Sequence, residues 1–167
     1  MCIALGAAAL YASMALTAYG GIQKASAEKA AGGYQAEVAD VNAKQADYKA
    51  EQTGRIGAIK EEQHRAKVRQ FAGSERATFA ANGVDVGSGT AADLVDETYT
   101  LGEADALTIR YNAMNEAWGF RAQATDLRQQ GQFAKYRGKQ QASQTYLTTA
   151  ASMSSQYADY LSKKGGK

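Results

Sequence analysis

The sequence predicts an all-α protein: a long antiparallel helical hairpin with an apolar N-terminal helix, assembling into a homo-oligomeric ring or tube. None of the 167 residues is proline, and an interior proline costs a helix about 3 kcal/mol. Alanine, Gln, Glu, Lys and Arg dominate the composition, and these residues are strong helix formers. Leu, Ile, Val and Phe together number only 24, fewer than a dense single-chain core requires. Burial is therefore expected to be completed by other subunits.

Residues 1–22 are predicted to form the apolar N-terminal helix. Residues 1–19 carry no charge, and Gly20-Gly21 is expected to end the helix. Its length of roughly 28 Å is close to that of a hydrocarbon core. Alanine is only mildly apolar, so two interpretations stay open: a helix buried between subunits, or one that inserts conditionally into a membrane. No Lys or Arg precedes the apolar run, which is not typical of a secretory signal.

Residues 23–82 are predicted to form a long helix. Tyr34, Val38, Val41, Gln45 and Tyr48 recur at steps of four and three and form a narrow stripe in which Gln45 is the one polar member. Ile56 and Ile59 continue the stripe after one extra residue. A narrow stripe predicts the packing seam of a long helix rather than the wide apolar face of a compact globule. The pair Gly32-Gly33 predicts a kink or break near 32–33.

A Gly-rich turn is predicted over residues 83–90, with five residues in special roles: Asn82, Gly83, Asp85, Gly87 and Gly89. Asn82 or Gly83 can adopt the left-handed conformation that closes a helix. A local hydrogen bond is favoured for Asp85 over cation coordination, because aspartate commonly bonds the backbone of its own turn. The loop lacks the Lys-Ser/Thr ending of a phosphate-binding loop.

A second long helix is predicted over residues 91–162, followed by a basic tail at 163–167. Its apolar stripe runs through Leu94, Leu101, Leu107, Tyr111, Met114 and Trp118, and continues through Phe133, Tyr136, Leu147, Met153, Tyr157 and Tyr160. Two such helices joined by a short turn predict an antiparallel hairpin about 90–100 Å long.

Charge patterning suggests a register for this hairpin. If facing residues have numbers that add to 172, six charged pairs are opposite in sign: Glu37–Lys135, Glu51–Arg121, Glu62–Arg110, Lys67–Asp105, Arg69–Glu103 and Arg76–Asp96. Two pairs are like-charged, Lys44–Arg128 and Glu75–Glu97. The same alignment sets Gly73 against Tyr99 and Gly54 against Trp118, large against small as close packing requires. We therefore expect Arg69 and Glu103 to lie alongside each other.

No residue pattern suggests catalysis, a cofactor or a metal. His64 is the only histidine, and a zinc helix needs a second histidine one turn away. Acidic residues are scattered among Lys and Arg, so no carboxylate pair stands out. A net charge of +2 makes no case for sequence-specific nucleic-acid binding. The sequence predicts a non-enzymatic protein.

The two ends of the chain are poor in charge, since Asp159 is the only charged residue from Gln140 to Leu161. The hairpin would bring this segment beside the uncharged N-terminal residues. Small residues permit close helix contacts in water or in lipid, so a subunit interface and a membrane contact both stay open. The candidate residues for either are Leu5, Leu10, Leu16, Tyr146, Met153, Tyr157 and Tyr160.

The central segment resembles the internal virion proteins, or ejection proteins, of short-tailed phages. The resemblance covers about 65 residues: a basic helix at 61–69, the turn at 82–89, an acidic start at Asp93, the block Gly102-Glu103-Ala104-Asp105-Ala106-Leu107-Thr108-Ile109-Arg110, and the pair Trp118-Gly119. Met1-Cys2 and the apolar run that follows resemble the smallest member of the set, which is associated with the outer membrane.

This resemblance implies a function. Copies would lie inside the capsid near the portal, with other core, portal or tail proteins as partners. After ejection they would form part of a helical channel across the host envelope, with the outer membrane as a further partner and DNA only as passing cargo. The alternative is a coiled-coil scaffold or adaptor subunit of a virion or other large assembly, without membrane contact.

Overall fold

The computed structural model describes residues 2–165, and the side chains of residues 8–163. Two α-helices pack against each other: α1, Cys2–Ala81, and α2, Thr90–Gly165. No strand occurs within residues 2–165. The all-α prediction is confirmed, whereas assembly into a ring or tube stays a prediction.

Helix α1 is longer than the sequence suggested. It runs without interruption through Gly20-Gly21 and Gly32-Gly33, so the separate helix at 1–22 and the break near 32–33 were wrong as boundaries. A helical glycine costs only about 1 kcal/mol relative to alanine. Packing against a neighbouring helix offsets such a cost, since tertiary contacts supply most helical stability.

The chain divides into two units. Unit 1 comprises Met1–Asn42 and Asp126–Lys167, and unit 2 is Ala43–Thr125. Within unit 1, segments of α1 and α2 meet through small buried residues: Ala25, Gly32, Gly131, Gly138 and Ala142. A Cβ atom on Gly32 would lie 2.7 Å from the carbonyl oxygen of Ala134, so the two backbones approach closely.

Unit 2 has the same kind of seam. Its buried residues are Ala43, Ala46, Ala50, Gly57, Glu61, Ala72, Ala91, Val95, Gly102, Ala106, Ala117 and Ala124, and Val95 is the largest fully buried side chain described. A Cβ on Gly57 would lie 2.2 Å from the Cβ of Ala113, and one on Gly102 would lie 2.5 Å from the side chain of Val68. Contacting residue numbers add to 170 in both cases, so the predicted register of 172 was off by two residues.

The predicted apolar stripe is not the seam between the helices. Tyr34 and Trp118 are each 70% exposed, and Tyr48 is 60% exposed. The distance between packed helix axes depends on the side chains at the contact. Alanine and glycine allow the short distance seen here, and large side chains in the same positions would hold the helices apart.

Residues of the seam recur at eleven-residue intervals within unit 2. Gly57, Val68 and Phe79 mark this repeat on α1, and Gly102, Ala113 and Ala124 mark it on α2. Three turns in eleven residues is 3.67 residues per turn, close to the straight α-helix. Residues eleven apart in these segments therefore share one side of their helix.

The turn between the helices covers residues 82–89, one residue earlier than predicted at each end, and it contains the predicted glycine cap. Gly83, with φ of 73°, closes α1 in the left-handed region, and Gly89 has φ of 70°. The amide of Gly83 donates to Ala80 O at 3.0 Å, and that of Val84 donates to Phe79 O at 3.0 Å, the paired bonds of a glycine C-cap. Asn82 Nδ2 donates to Thr78 O at 2.8 Å.

Asp85 organises the rest of the turn. Its Oδ1 accepts from the Gly87 amide at 2.9 Å, and its Oδ2 accepts from the Ser88 hydroxyl at 2.7 Å. These bonds, from Ser88 first and Gly87 second, lower the pKa of the Asp85 carboxyl. The favoured local hydrogen bond is therefore the one observed.

Candidate interaction surface

Large hydrophobic side chains cover the outside of both helices instead of the seam. Among the most exposed are Tyr11, Leu16, Tyr34, Phe71, Tyr111, Trp118, Phe133 and Leu147. Single exposed hydrophobic residues are normal, but aligned sets along a helix mark interaction sites. The surface of the paired helices is thus the candidate functional site.

Unit 2 presents two different faces, one on each side of its seam. The arginine face includes a groove lined by Gly54, Ala58, Glu61, Arg110 and Met114, and a depression lined by Arg65, Arg69, Tyr99 and Glu103. The isoleucine face carries the opposite groove, lined by Thr53, Ile56, Lys60, Ile109, Asn112 and Glu116. Each face therefore combines apolar and charged side chains.

An ionic network connects the helices on the arginine face. Arg65 Nε donates to Glu103 Oε2 at 2.8 Å, and its Nη2 donates to Glu103 Oε1. The same guanidinium reaches Glu61 Oε1 at 2.8 Å through Nη1, and Arg110 Nη1 lies 3.9 Å from that oxygen. Glu61 is the only buried charged residue described, at 5% exposure. Burial of a carboxylate requires paired cations, which Arg65 and Arg110 supply.

The contact between Arg65 and Glu103 shifts the pKa of both side chains. The hydrogen bond from Arg65 lowers the pKa of Glu103 despite a smaller opposing effect of burial. Reciprocally, the bond to Glu103 raises the pKa of Arg65. The bidentate arrangement fixes orientation as well as charge, so this pair holds the register of the two helices.

The structure revises the predicted charge pairs. Glu103 pairs with Arg65 rather than Arg69, although Arg69 lines the same depression. Arg110 approaches Glu61 rather than Glu62. No ion pair joins Arg76 to Asp96 among the described residues. Gly54 and Gly73 face open space, so neither receives Trp118 or Tyr99 within the chain.

Sequence reasoning missed Arg65 and Glu61 as the residues that join the helices. Their four-residue spacing was an available signal, because residues four apart on a helix are neighbours. The burial of Glu61 was not predictable without the true seam.

His64 lies at the edge of the same seam. Its Nε2 is buried and has no hydrogen-bond partner among the described atoms. No group of three or more His, Cys, Asp or Glu side chains that could hold a metal occurs in the described part of the chain.

Unit 1 brings the predicted charge-poor segments together. Ser13 Oγ donates to Gln156 Oε1 at 3.3 Å, and Gln156 Nε2 donates to Thr17 Oγ1 at 3.2 Å. Leu10 and Tyr160 line one groove there, and Met153 is half-buried. Leu16, Tyr146 and Tyr157 are exposed. Leu5 is outside the residues whose side chains are described, and the basic tail is described only as far as Gly165.

Within the described residues, neither helix contains a stretch sufficiently long and apolar to span a membrane.

In comparisons with protein families, curated protein sequences and solved structures, nothing matched the chain. Its long rows of exposed aromatic and aliphatic residues, interspersed with charges, are suited to binding another helical surface.

Proposed function

We propose that this chain is a non-enzymatic structural subunit that works in multiple copies, as an internal virion or ejection protein of a short-tailed phage. The observation that carries the proposal is the location of the large hydrophobic side chains. Trp118, Tyr111 and Leu107 are 70%, 64% and 51% exposed, whereas most of the buried residues in the seam are alanine and glycine. A chain that places its largest apolar residues outside its own core gains burial only by association.

The interior supports the same proposal. Alanine buries little apolar area per residue, and hydrophobic stabilisation is roughly proportional to the area removed from water. An isolated copy is therefore expected to have low stability. Packing of exposed stripes between copies would add the missing burial.

The ejection function rests on the resemblance of the central segment. Under this proposal the protein leaves the capsid, near the portal, through the tail and forms part of a helical conduit across the host envelope. The mixed charge of both faces of unit 2 suits a conduit, since DNA that must pass should not be held through its phosphates. Its partners are copies of itself and other virion proteins.

Light scattering of the full chain, in neutral buffer and again in detergent, tests the proposal. A discrete multi-copy assembly in detergent is the expected result. A monomer or dimer in both conditions contradicts a channel and favours the scaffold or adaptor function.

Vesicle leakage adds an independent readout. Unfolded protein diluted onto dye-filled liposomes should release dye if the chain forms a conduit. Sealed vesicles, together with self-association in buffer, again favour a scaffold.

A further inference from the structure

Four charged side chains on or beside the arginine face of unit 2 take part in no ion pair among the described residues: Glu62, Arg69, Arg76 and Asp96. All four are exposed. Together with Glu103 and Arg110 they form two rows at seven-residue intervals: Glu62, Arg69 and Arg76 on α1, and Asp96, Glu103 and Arg110 on α2. Charges at this spacing flank the contact between packed helices and determine which helix is the partner.

Oppositely charged residues of the two rows lie at nearly the same height along the helix axis of unit 2. The contacts of Gly57 with Ala113 and of Gly102 with Val68 define level residues as those with numbers adding to 170. The pairs Glu62–Arg110, Arg69–Glu103 and Arg76–Asp96 are each within two residues of level, about 3 Å along the axis. Arg69 and Glu103 line the depression of the arginine face and Arg110 lines its groove, and all six side chains are exposed. Their complementarity is thus available to a second molecule.

We propose that a second copy of the chain docks on the arginine face of unit 2 about a two-fold axis parallel to the helices. This inference rests on the proposed self-association and adds the face and the symmetry. Such an axis preserves height and exchanges the two helices, so α1 of each copy lies against α2 of the other. Each complementary pair then forms twice, as in any isologous interface.

The sizes of the side chains fit the same arrangement. Gly54 and Gly73 have no atom within 4 Å of a hypothetical Cβ. Trp118 and Tyr99, 70% and 38% exposed, are close to level with Gly54 and Gly73 respectively. In the dimer, each aromatic ring of one copy covers a glycine of the other. A glycine in the middle of a helix weakens the helix. The open space beside Gly54 and Gly73 leaves room for an aromatic ring of the second copy.

Stacking of the arginine face on the isoleucine face of a parallel copy is less favourable. In that arrangement Glu103 would lie near Asp105 of the next copy, and Arg65 and Arg69 would lie near its Lys67. Like charges placed together across an interface are strongly unfavourable. The two-fold contact instead gives opposite charges at all three levels.

A charge exchange in the full chain tests the dimer. Arg76→Glu alone and Asp96→Arg alone each place two like-charged pairs in the interface. We expect the dimer dissociation constant, measured by sedimentation velocity, to rise at least about tenfold for each variant. An equimolar mixture should recover wild-type association, because both contacts in the mixed dimer are again opposite in sign. This recovery also shows that neither variant failed to fold.

The matched control is on the other face. The residue numbers of Lys67 and Asp105 also add to 172, but these two residues are on the isoleucine face. Lys67 is eleven residues after Ile56, and Asp105 is eleven residues before Glu116, and both reference residues line the groove of that face. Lys67→Glu and Asp105→Arg should leave the dissociation constant within about twofold of wild type, as expected for surface substitutions away from a contact.

The outcomes separate this inference from the proposed function. If the wild type associates but Arg76→Glu and Asp96→Arg have no effect, or their mixture is not rescued, the two-fold contact is wrong and self-association stands. Disruption by Lys67→Glu instead would assign the contact to the isoleucine face. A wild type that stays monomeric at all concentrations overturns both proposals.

Discussion

Gly32 and Gly138 lie against each other in unit 1, where a Cβ on Gly32 would be 2.9 Å from the Cα of Gly138. The neighbouring Gly33 has no atom within 4 Å of the equivalent position. Adjacent glycines in one helix therefore have opposite environments, one against a second backbone and one in open space.

We predict that Gly32→Ala destabilises the fold by about 1–3 kcal/mol, because backbone atoms of α2 must move to accept the methyl group. Gly33→Ala should stabilise it by up to about 1 kcal/mol through helix propensity alone. Urea unfolding followed by circular dichroism measures both. Equal effects of the two substitutions would contradict the close approach.

Gly83 provides a test of the turn. Its φ of 73° is in the left-handed region, where a side chain costs about 1–2 kcal/mol. We expect Gly83→Ala to lower stability by that amount. Gly20→Ala, in helical backbone facing open space, should not. A neutral Gly83→Ala would mean that the α1 cap does not use this conformation.

The Arg65–Glu103 pair predicts a pH dependence. Arg65 lowers the folded-state pKa of Glu103 from its ordinary 4.5. The pair therefore stabilises the fold above the ordinary pKa, and this contribution is lost as the pH falls through the lowered folded-state pKa. Glu103→Gln should lower Tm at pH 7, and its Tm difference from wild type should shrink on strong acidification. Glu97→Gln, an exposed carboxyl on the same helix, is the control; a difference that persists in acid would argue against the pair.

We predict that His64 lowers the thermal stability of the folded chain. Its buried Nε2 has no partner among the described atoms, and an unsatisfied buried polar atom costs about 1–3 kcal/mol. His64→Leu should raise Tm. Gln63→Leu, one residue earlier at an exposed position, should leave Tm nearly unchanged. A lower Tm for His64→Leu would show that the imidazole has a partner in solution.

Association should also appear in the thermal stability. A chain whose large apolar residues are buried only between copies is stabilised by mass action. We expect Tm to rise with protein concentration. A sharp melt at one temperature over a hundredfold range of concentration would contradict assembly of the folded chain.

The sequence by itself determined the helical class and the turn. Absence of proline and the dominance of helix formers leave no competing local structure, and Gly83 and Asp85 act through neighbours close in the chain. These features depend on local backbone preferences and hydrogen bonds, which residue types specify directly.

Only the tertiary structure decided which residues form the seam and where the helices are level. Hydrophobic periodicity identifies an apolar stripe, but it does not say whether Trp118 contacts its own α1 or another molecule. Close packing of Gly57 on Ala113 brings the backbones together and leaves the large side chains outside. The two-residue change in register sets Glu103 level with Lys67, so that Arg65 and Arg69 are each two residues from level. Side-chain packing in the folded structure, and not residue spacing, then decides that Arg65 is the partner of Glu103.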